Sequence, residues 1–174
     1  KGQTFSEGNL QVATTVSNKT GGSSTIGMSS GKWFAEFKIS AYNNNRTIIG
    51  ITSNPSELDR TNVDPGSLNY GSGIYFDGRI YVNTSVVTTV NATTLNDIIG
   101  VALNLDDNNI LYYINGVVQN SGTPISITAS SSTDTGNYFF SIGDRSTSSY
   151  GTVQANFGSP PYAISSGNTD GNGY

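Results

Sequence analysis

The stretch GKWFAEFKI, residues 31–39, alternates apolar and polar side chains with the period of a β-strand. Trp33, Ala35, Phe37 and Ile39 fall on one face of such a strand, and charged residues occupy much of the opposite face. We therefore expect a core strand here, with Trp33 and Phe37 buried on its inner face.

Similar short runs recur along the chain, whereas amphipathic helical periodicity is almost absent. Asp77-Gly78 between two such runs predicts a hairpin with a type I′ turn, in which both central residues need positive φ. Asp106 to Asn108 and Asn115-Gly116 predict two further hairpin turns. The remaining strands are predicted at 48–52, 74–76, 79–82, 98–105, 109–114, 117–119, 138–143 and 152–157. Strands at this spacing are typical of an all-β sandwich or barrel.

The composition favours a folded domain with a polar, weakly charged surface. Of 174 residues, 34% are hydrophobic and 11% are charged, with a net charge of −4 and ten tyrosines. Disordered chains usually combine low hydrophobicity with high net charge and few aromatics. The low pI of about 4.5 and the scattered basic residues argue against nucleic acid as a partner. No apolar run is long enough for membrane insertion.

The chain contains no cysteine and no histidine. These absences exclude disulfides, thiolate chemistry and the commonest general base and metal ligand. We interpret residues 1–174 as one domain. The Gly- and Asn-rich run at 168–174 leads us to expect that this domain is a module of a longer protein.

Several motifs resemble SPRY domains when they are taken in order. Residues 31–39 resemble the family's GKWYFEVKI strand, and IIGIT at 48–52 resembles its VGV strand. DIIGVALNLD at 97–106 resembles GDVIGVALDLD, and ILYYING at 110–116 resembles TLSFYKNG. NFGSPPY at 156–162 resembles the late NFGQRPF segment.

This resemblance covers roughly residues 8–162. It implies an all-β fold, namely a two-sheet antiparallel β-sandwich of the concanavalin-A-like (jelly-roll) type. It also implies binding through loops at one end, usually to a peptide or a protein. The Asn-, Ser- and Thr-rich composition is similar to that of SPRY-like modules on bacteriophage and other virus structural proteins, so we expect a virion or extracellular location.

Loop aromatics beside amide and arginine side chains are the candidate ligand-binding residues. Apolar rings with a few aimed hydrogen-bonding groups suit recognition of saccharides or peptides. The long polar segments 17–24, 54–69 and 130–137 are predicted binding loops. The candidate residues are Tyr42, Asn44, Arg46, Tyr70, Arg145 and Tyr150.

The carboxylates do not form a recognisable catalytic pattern. A glycoside hydrolase needs two carboxylates facing each other across the bond, and the strand motif E-x-D-x-x-E of sandwich glucanases is not present. Glu57 and Asp59 beside Arg60 predict a local ion pair on a loop. The run Asp106 to Asn109 could supply oxygen ligands for Ca²⁺, but Asp and Asn also form turns, which we favour. We expect no catalytic residues, no cofactor and no metal.

Three functions remain open. The first is a non-enzymatic module of a virus particle, such as a tail fibre, head fibre or capsid decoration, for host-surface attachment or subunit packing. Its partners would be other virion proteins or a host surface glycan or protein, with homo-oligomerisation possible. The second is a carbohydrate-binding module of a secreted bacterial protein, and the third is a hydrolase of the same sandwich class.

Overall fold

The computed structural model describes residues 3–14, 21–43, 45–60, 63–145, 150–158 and 162. Within this part of the chain, the regular secondary structure consists of β-strands and short 3₁₀ turns. The strands are β1 (Gln3–Ser6), β2 (Gln11–Thr14), β3 (Gly21–Ser23), β4 (Lys32–Tyr42), β5 (Thr47–Thr52), β6 (Gly71–Tyr75), β7 (Arg79–Val82), β8 (Ser85–Thr89), β9 (Ile98–Asn104), β10 (Asn109–Ile114), β11 (Val117–Val118), β12 (Ile125–Ser126), β13 (Phe139–Asp144) and β14 (Gly151–Asn156). The 3₁₀ turns are η1 (Glu7–Asn9), η2 (Pro55–Asp59), η3 (Pro65–Ser67), η4 (Asn120–Gly122) and η5 (Ser130–Ser132).

The strands form two antiparallel sheets that face each other. The eight-stranded sheet has the order β1-β2-β14-β4-β9-β10-β11, with β12 also paired to β10. The six-stranded sheet has the order β3-β13-β5-β6-β7-β8. The predicted two-sheet antiparallel β-sandwich is therefore confirmed. None of the helices described is long and apolar enough to cross a membrane.

The main core lies between the sheets and follows the alternation of the strands. On β4, Ala35, Phe37 and Ile39 are buried, as predicted. The expectation for Trp33 is wrong, because its side chain remains 43% exposed. Trp33 lies at the start of β4, where its indole N–H donates to the Ser30 carbonyl at 2.8 Å. It has the same strand parity as the core residues but lies towards one end of the sandwich.

A second, smaller core lies on the outer side of the six-stranded sheet. Ile48, Tyr75 and Tyr81 are buried there, away from the main core. The segment containing η3 packs on β5, β6 and β7. Residues 63–69 of the predicted binding loop 54–69 thus cover part of the sheet, and residues 61–62 lie outside the described residues. Similarly, residues 21–23 of the predicted loop 17–24 form strand β3, and residues 17–20 lie outside the described residues.

Glycine at position 143 permits this covering segment to approach the sheet. A Cβ atom there would lie 2.7 Å from the Pro65 side chain and 2.8 Å from Asp64 Cβ. Any larger residue would displace the segment, since such separations are far below ordinary contact distance. The position of η3 is therefore set by direct contact with the sheet.

The predicted hairpins are present, with one difference in turn type. Asn115 and Gly116 both have positive φ between the paired residues Ile114 and Val117. In the Asp77-Gly78 turn only Gly78 has positive φ, at 89°. The type I′ assignment is therefore wrong, and the turn instead resembles a three-residue loop that ends in a left-handed glycine.

Candidate functional site

Two segments that carry candidate residues, one with Tyr42 and Arg46 and the other with Arg145 and Tyr150, meet at one end of the sandwich. The Asn43 N–H donates to the Tyr150 carbonyl at 3.2 Å, and the Tyr150 N–H donates to the Asn43 side-chain oxygen at 2.8 Å. The Arg145 N–H donates to the Arg46 carbonyl at 3.2 Å. We call this region, comprising 42–43, 45–47, 76–79, 144–145 and 150–151, the arginine end. Asn44 and 146–149 lie outside the described residues.

The candidate side chains at the arginine end differ in accessibility. Arg46 and Arg145 are exposed, and Tyr150 is 37% exposed. Tyr42 is half-buried, packs against the main core and meets Phe76 edge-on with ring centres 5.7 Å apart. Tyr42 thus anchors the loop, whereas the other three can reach a ligand.

Tyr70 lies at the opposite end of the sandwich. It directly precedes β6, whose last residue, Tyr75, is at the arginine end, so the separation is about 17 Å. Its N–H donates to Asn83 Oδ1 at 2.9 Å. Tyr70 therefore lies apart from the other described candidates, and its role in binding stays a prediction.

Sequence reasoning missed an arginine–tyrosine cluster beside these loops. The Arg79 guanidinium lies 5.4 Å from the Tyr75 ring centre and 5.8 Å from that of Tyr81. The Arg145 guanidinium lies 5.8 Å from the Tyr81 ring centre. Asp77 fixes Arg79, with Oδ2 accepting from Nε at 2.9 Å and from Nη2 at 2.7 Å. Cation–π contacts of this kind hold guanidinium groups in defined orientations.

A buried carboxyl group lies beneath this cluster. Asp64 has no exposed surface, and its Oδ1 accepts from the N–H groups of Gly66 at 2.8 Å and Ser67 at 3.1 Å. Its Oδ2 and the Tyr75 hydroxyl complete no hydrogen bond of ordinary geometry with the described residues. Burial raises the pKa of Asp64, while nearby Tyr75 and Arg145 partly oppose that rise. Burial, and then the charge of Asp64, raise the pKa of Tyr75, so its hydroxyl stays protonated.

The carboxylates considered for hydrolysis are not paired. Glu36 lies on β4 of the eight-stranded sheet and accepts from Asn156 Nδ2 at 3.0 Å. Glu57 lies on η2, which packs on β3 and β13 of the other sheet, and it forms the predicted ion pair with Arg60. A glycosidase pair needs both groups within about 10 Å across one cleft. Glu36 and Glu57 therefore do not form one.

The Asp106 segment forms the turn that we favoured over a calcium site. Asp106 Oδ1 accepts from the Gly31 N–H at 2.8 Å. Asn104 Oδ1 accepts from the N–H groups of Asp106 and Asp107, both at 3.1 Å. These oxygens therefore stabilise the loop itself. Across the described ranges there is no group of three or more acidic, His or Cys residues that could hold a metal ion.

Solved structures place the fold among SPRY domains. The SPRY domain of human HERC1 has a TM-score of 0.69 at 16% identity, covering 91% of this chain and 94% of that one. A second human SPRY domain has a TM-score of 0.69 at 15% identity, covering 91% and 97%. Stonustoxin has a TM-score of 0.59 at 17% identity, and the match covers 89% of this chain but only 25% of that one. No family model matches the sequence, and no curated protein does so either. The chain thus has the SPRY fold.

Proposed function

We propose that the chain is a non-enzymatic binding module whose ligand, a peptide or a protein, docks on the arginine end. The observation that carries this proposal is the set of hydrogen bonds between the two loops: two join Asn43 and Tyr150, one of them through the Asn43 side chain, and one joins the Arg145 N–H to the Arg46 carbonyl. Because these hydrogen bonds are anchored in β-strands, they hold Arg46, Arg145 and Tyr150 in fixed positions. Exposed arginine and tyrosine on a rigid scaffold are typical of binding hot spots.

The chemistry of the cluster favours a ligand rich in oxygen acceptors. Arg79 and Arg145 lie close to tyrosine rings. Arg79 already donates to Asp77 and to the Tyr81 hydroxyl, so exposed Arg145 is the cluster's main contact for an oxygen acceptor. Two nearby carboxylates, Asp64 and Asp77, offset part of their charge, and Asp77 already binds Arg79. We therefore expect recognition of backbone carbonyls or single carboxylates rather than of densely anionic polymers.

The setting that we propose is the outside of a virus particle, in host-surface attachment or subunit packing. This part of the proposal is supported by the Asn-, Ser- and Thr-rich composition with few charges. Mass spectrometry of purified particles from an infected culture tests it. Stoichiometric recovery of the chain's peptides is expected, and recovery only from the soluble fraction would contradict it.

Selection of a random peptide library on the purified chain tests the binding site. We expect the selected peptides to bind the Arg145→Ala and Tyr150→Ala variants at least about tenfold more weakly than they bind the parent. A tenfold loss of affinity corresponds to the loss of roughly one well-placed contact. Lys32→Ala and Trp33→Ala are matched controls, since these exposed residues lie at the opposite end of β4. Thermal unfolding first establishes that each variant folds.

Two outcomes would contradict the proposal. Peptides that bind the arginine-end variants as well as they bind the parent would place the site elsewhere. A glycan array that yields a strong ligand, while peptide selection yields none, would favour the alternative carbohydrate-binding module.

A further inference from the structure

A groove lies on one side of the sandwich, where the outermost strands of the two sheets come near each other. β8 ends the six-stranded sheet, and β11 ends one side of the eight-stranded sheet. Residues 89–91 from the end of β8 and residues 117–121 from β11 and η4 line a groove of about 410 Å³. We call this groove the amide groove. It shares no residue with the arginine end.

The lining of the amide groove is polar but uncharged. Five of its eight residues carry an amide or a hydroxyl group, namely Thr89, Asn91, Gln119, Asn120 and Ser121. The other three are valines, of which Val117 is 63% exposed. Arg79 lies opposite Thr89 in the β7–β8 pair, but the Asp77 carboxylate binds its guanidinium at 2.7 Å. The lining therefore offers hydrogen bonds and apolar surface rather than charge.

Gln119 marks this groove as a binding site. The residue is only 7% exposed, and its Nε2 donates to the Val117 carbonyl at 2.9 Å, which fixes the orientation of the amide. Its Oε1 accepts no hydrogen bond from the described residues, although buried polar atoms are normally paired. That oxygen is not enclosed by protein, so it opens onto the groove that Gln119 lines. A fixed acceptor is thus available to a donor in the groove.

One wall of the groove has a strained backbone. Asn120, Ser121 and Gly122 have consecutive positive φ angles of 52°, 53° and 74°. Glycine adopts this conformation freely and Asn tolerates it, whereas Ser seldom does. Local hydrogen bonds hold it, including one from Asn120 Nδ2 to the Thr123 carbonyl at 3.0 Å. Strained backbone is concentrated at functional sites, and here it places Ser121 on the groove.

We propose that the amide groove binds a neutral saccharide. A saccharide hydroxyl donates and accepts hydrogen bonds, and a side-chain amide does the same. Gln119 Oε1 accepts from one hydroxyl of the ligand, and the exposed Asn91 amide and Ser121 hydroxyl bind others. The exposed side chain of Val117 packs against the C–H face of a sugar ring.

The strand edges beside the groove do not suit a peptide. An extended peptide binds by adding a strand to a free sheet edge. The β7–β8 register passes from Ile80 opposite Thr88 to Tyr81 opposite Val86, which leaves Val87 as an unpaired bulge residue. β11 has only two residues. Bulged and very short edge strands resist strand addition, so side chains rather than backbone edges are the recognition groups of this groove.

A glycan array probed with the full chain tests the proposal. We expect binding to neutral glycans and no gain from sialic acid or sulfate, because the lining carries no charge. Gln119→Met keeps the size of the side chain but removes Oε1, and it should weaken binding of the best array glycan about tenfold. Gln154→Met is the matched control, since Gln154 lies on β14 outside the groove. Thermal unfolding checks that each variant folds. Asn91→Ala, at an exposed position, should also weaken binding and gives a second test of the groove.

The outcome does not depend on the ligand proposed for the arginine end. Arg145→Ala should bind the glycan as tightly as the parent does, and peptides selected on the arginine end should bind Gln119→Met undiminished. The proposal is overturned if no neutral glycan binds, or if Gln119→Met and Asn91→Ala both bind the glycan as tightly as the parent. Selected peptides that lose affinity for Gln119→Met but not for Arg145→Ala would make the groove a peptide site, which also contradicts the proposal.

Discussion

The hydroxyl groups of Ser72 and Tyr112 meet at 2.9 Å inside the core and join the two sheets. Ser72 lies on β6 of the six-stranded sheet and Tyr112 on β10 of the eight-stranded sheet. Both side chains are buried, and burial raises the pKa of Tyr112. The pair therefore stays neutral and fixes the position of one sheet against the other.

A double-mutant cycle on this pair should show strong coupling. We expect Tyr112→Phe and Ser72→Ala each to cost about 1–3 kcal/mol, because each leaves one buried hydroxyl without its partner. The double variant should cost clearly less than the sum of the two. Urea unfolding measures all four free energies, and additive costs would mean that the hydroxyls do not interact.

Phe37 and Trp33 occupy alternating positions on the same face of β4, but they should differ sharply in their contribution to stability. Phe37 is buried against Phe140, so Phe37→Ala should cost about 3–5 kcal/mol. Trp33 is much more exposed, and Trp33→Ala should cost only about 1–2 kcal/mol, in proportion to the buried part of its surface. Denaturant unfolding followed by circular dichroism compares the two, and equal costs would contradict the exposed position of Trp33.

The buried carboxyl of Asp64 should make stability depend on pH. Burial raises its pKa above the ordinary value of 3.8, so the folded protein holds the proton more tightly than the unfolded chain does. Stability therefore falls as the pH rises from about 3.8 through the raised pKa, and it levels off above that value. Asp64→Asn should remove this fall while keeping the oxygen that caps η3.

Unfolding free energies of the parent and Asp64→Asn, measured from about pH 4 to about pH 7, isolate this contribution because all other groups titrate in both proteins. Parallel curves would show that Asp64 does not titrate differently in the two states. Asp64→Ala should in addition lose about 0.5–2 kcal/mol at every pH, since it removes the cap.

The tie between Asn43 and Tyr150 should control local order at the arginine end. Asn43→Ala removes the oxygen that accepts from the Tyr150 N–H, so we expect faster amide exchange at Tyr150 and a loss of about 1 kcal/mol in stability. Asn43→Asp keeps an acceptor and should exchange nearly as slowly as the parent. Exchange of Tyr150 that is the same in all three proteins would show that the tie does not hold the loop.

Strand alternation predicted the inner face of β4 but not the extent of the core. Ala35, Phe37 and Ile39 are buried as the pattern indicates, whereas Trp33 is not. Parity specifies the face of a sheet on which a side chain lies. It does not specify how far the opposite sheet extends, because that depends on the pairing of distant segments.

Strands with few buried side chains could not be recognised from pattern. β8 is rich in β-branched residues, but most of it is exposed, so it shows no apolar–polar alternation. β3 consists of two glycines and a serine. Both segments are strands because a neighbouring strand pairs with them. The residues of that neighbouring strand, and not those of β8 or β3, determine the pairing.

The candidate site, too, could be predicted only in part, because its geometry depends on which distant strands pair. The loops of Arg46 and Arg145 meet because β5 and β13 are antiparallel neighbours, with Thr47 opposite Asp144. Sequence alone does not reveal at which end of a strand a loop residue lies, so Tyr70 could not be separated from the candidates at the arginine end. Asp64 before Pro65 is a sequence signal for the start of a helical turn. Its burial carries no such signal, since it arises from the contact of the η3 segment with Gly143.

The half-exposed position of Trp33 has a spectroscopic consequence. It is the chain's single tryptophan, and its indole already contacts solvent in the folded state. Its fluorescence emission maximum should therefore already lie at a long wavelength in the folded protein and shift little on unfolding. Its distance from the arginine end also means that a ligand bound there should leave the emission unaltered, so the ten tyrosines are the more informative chromophores in this molecule.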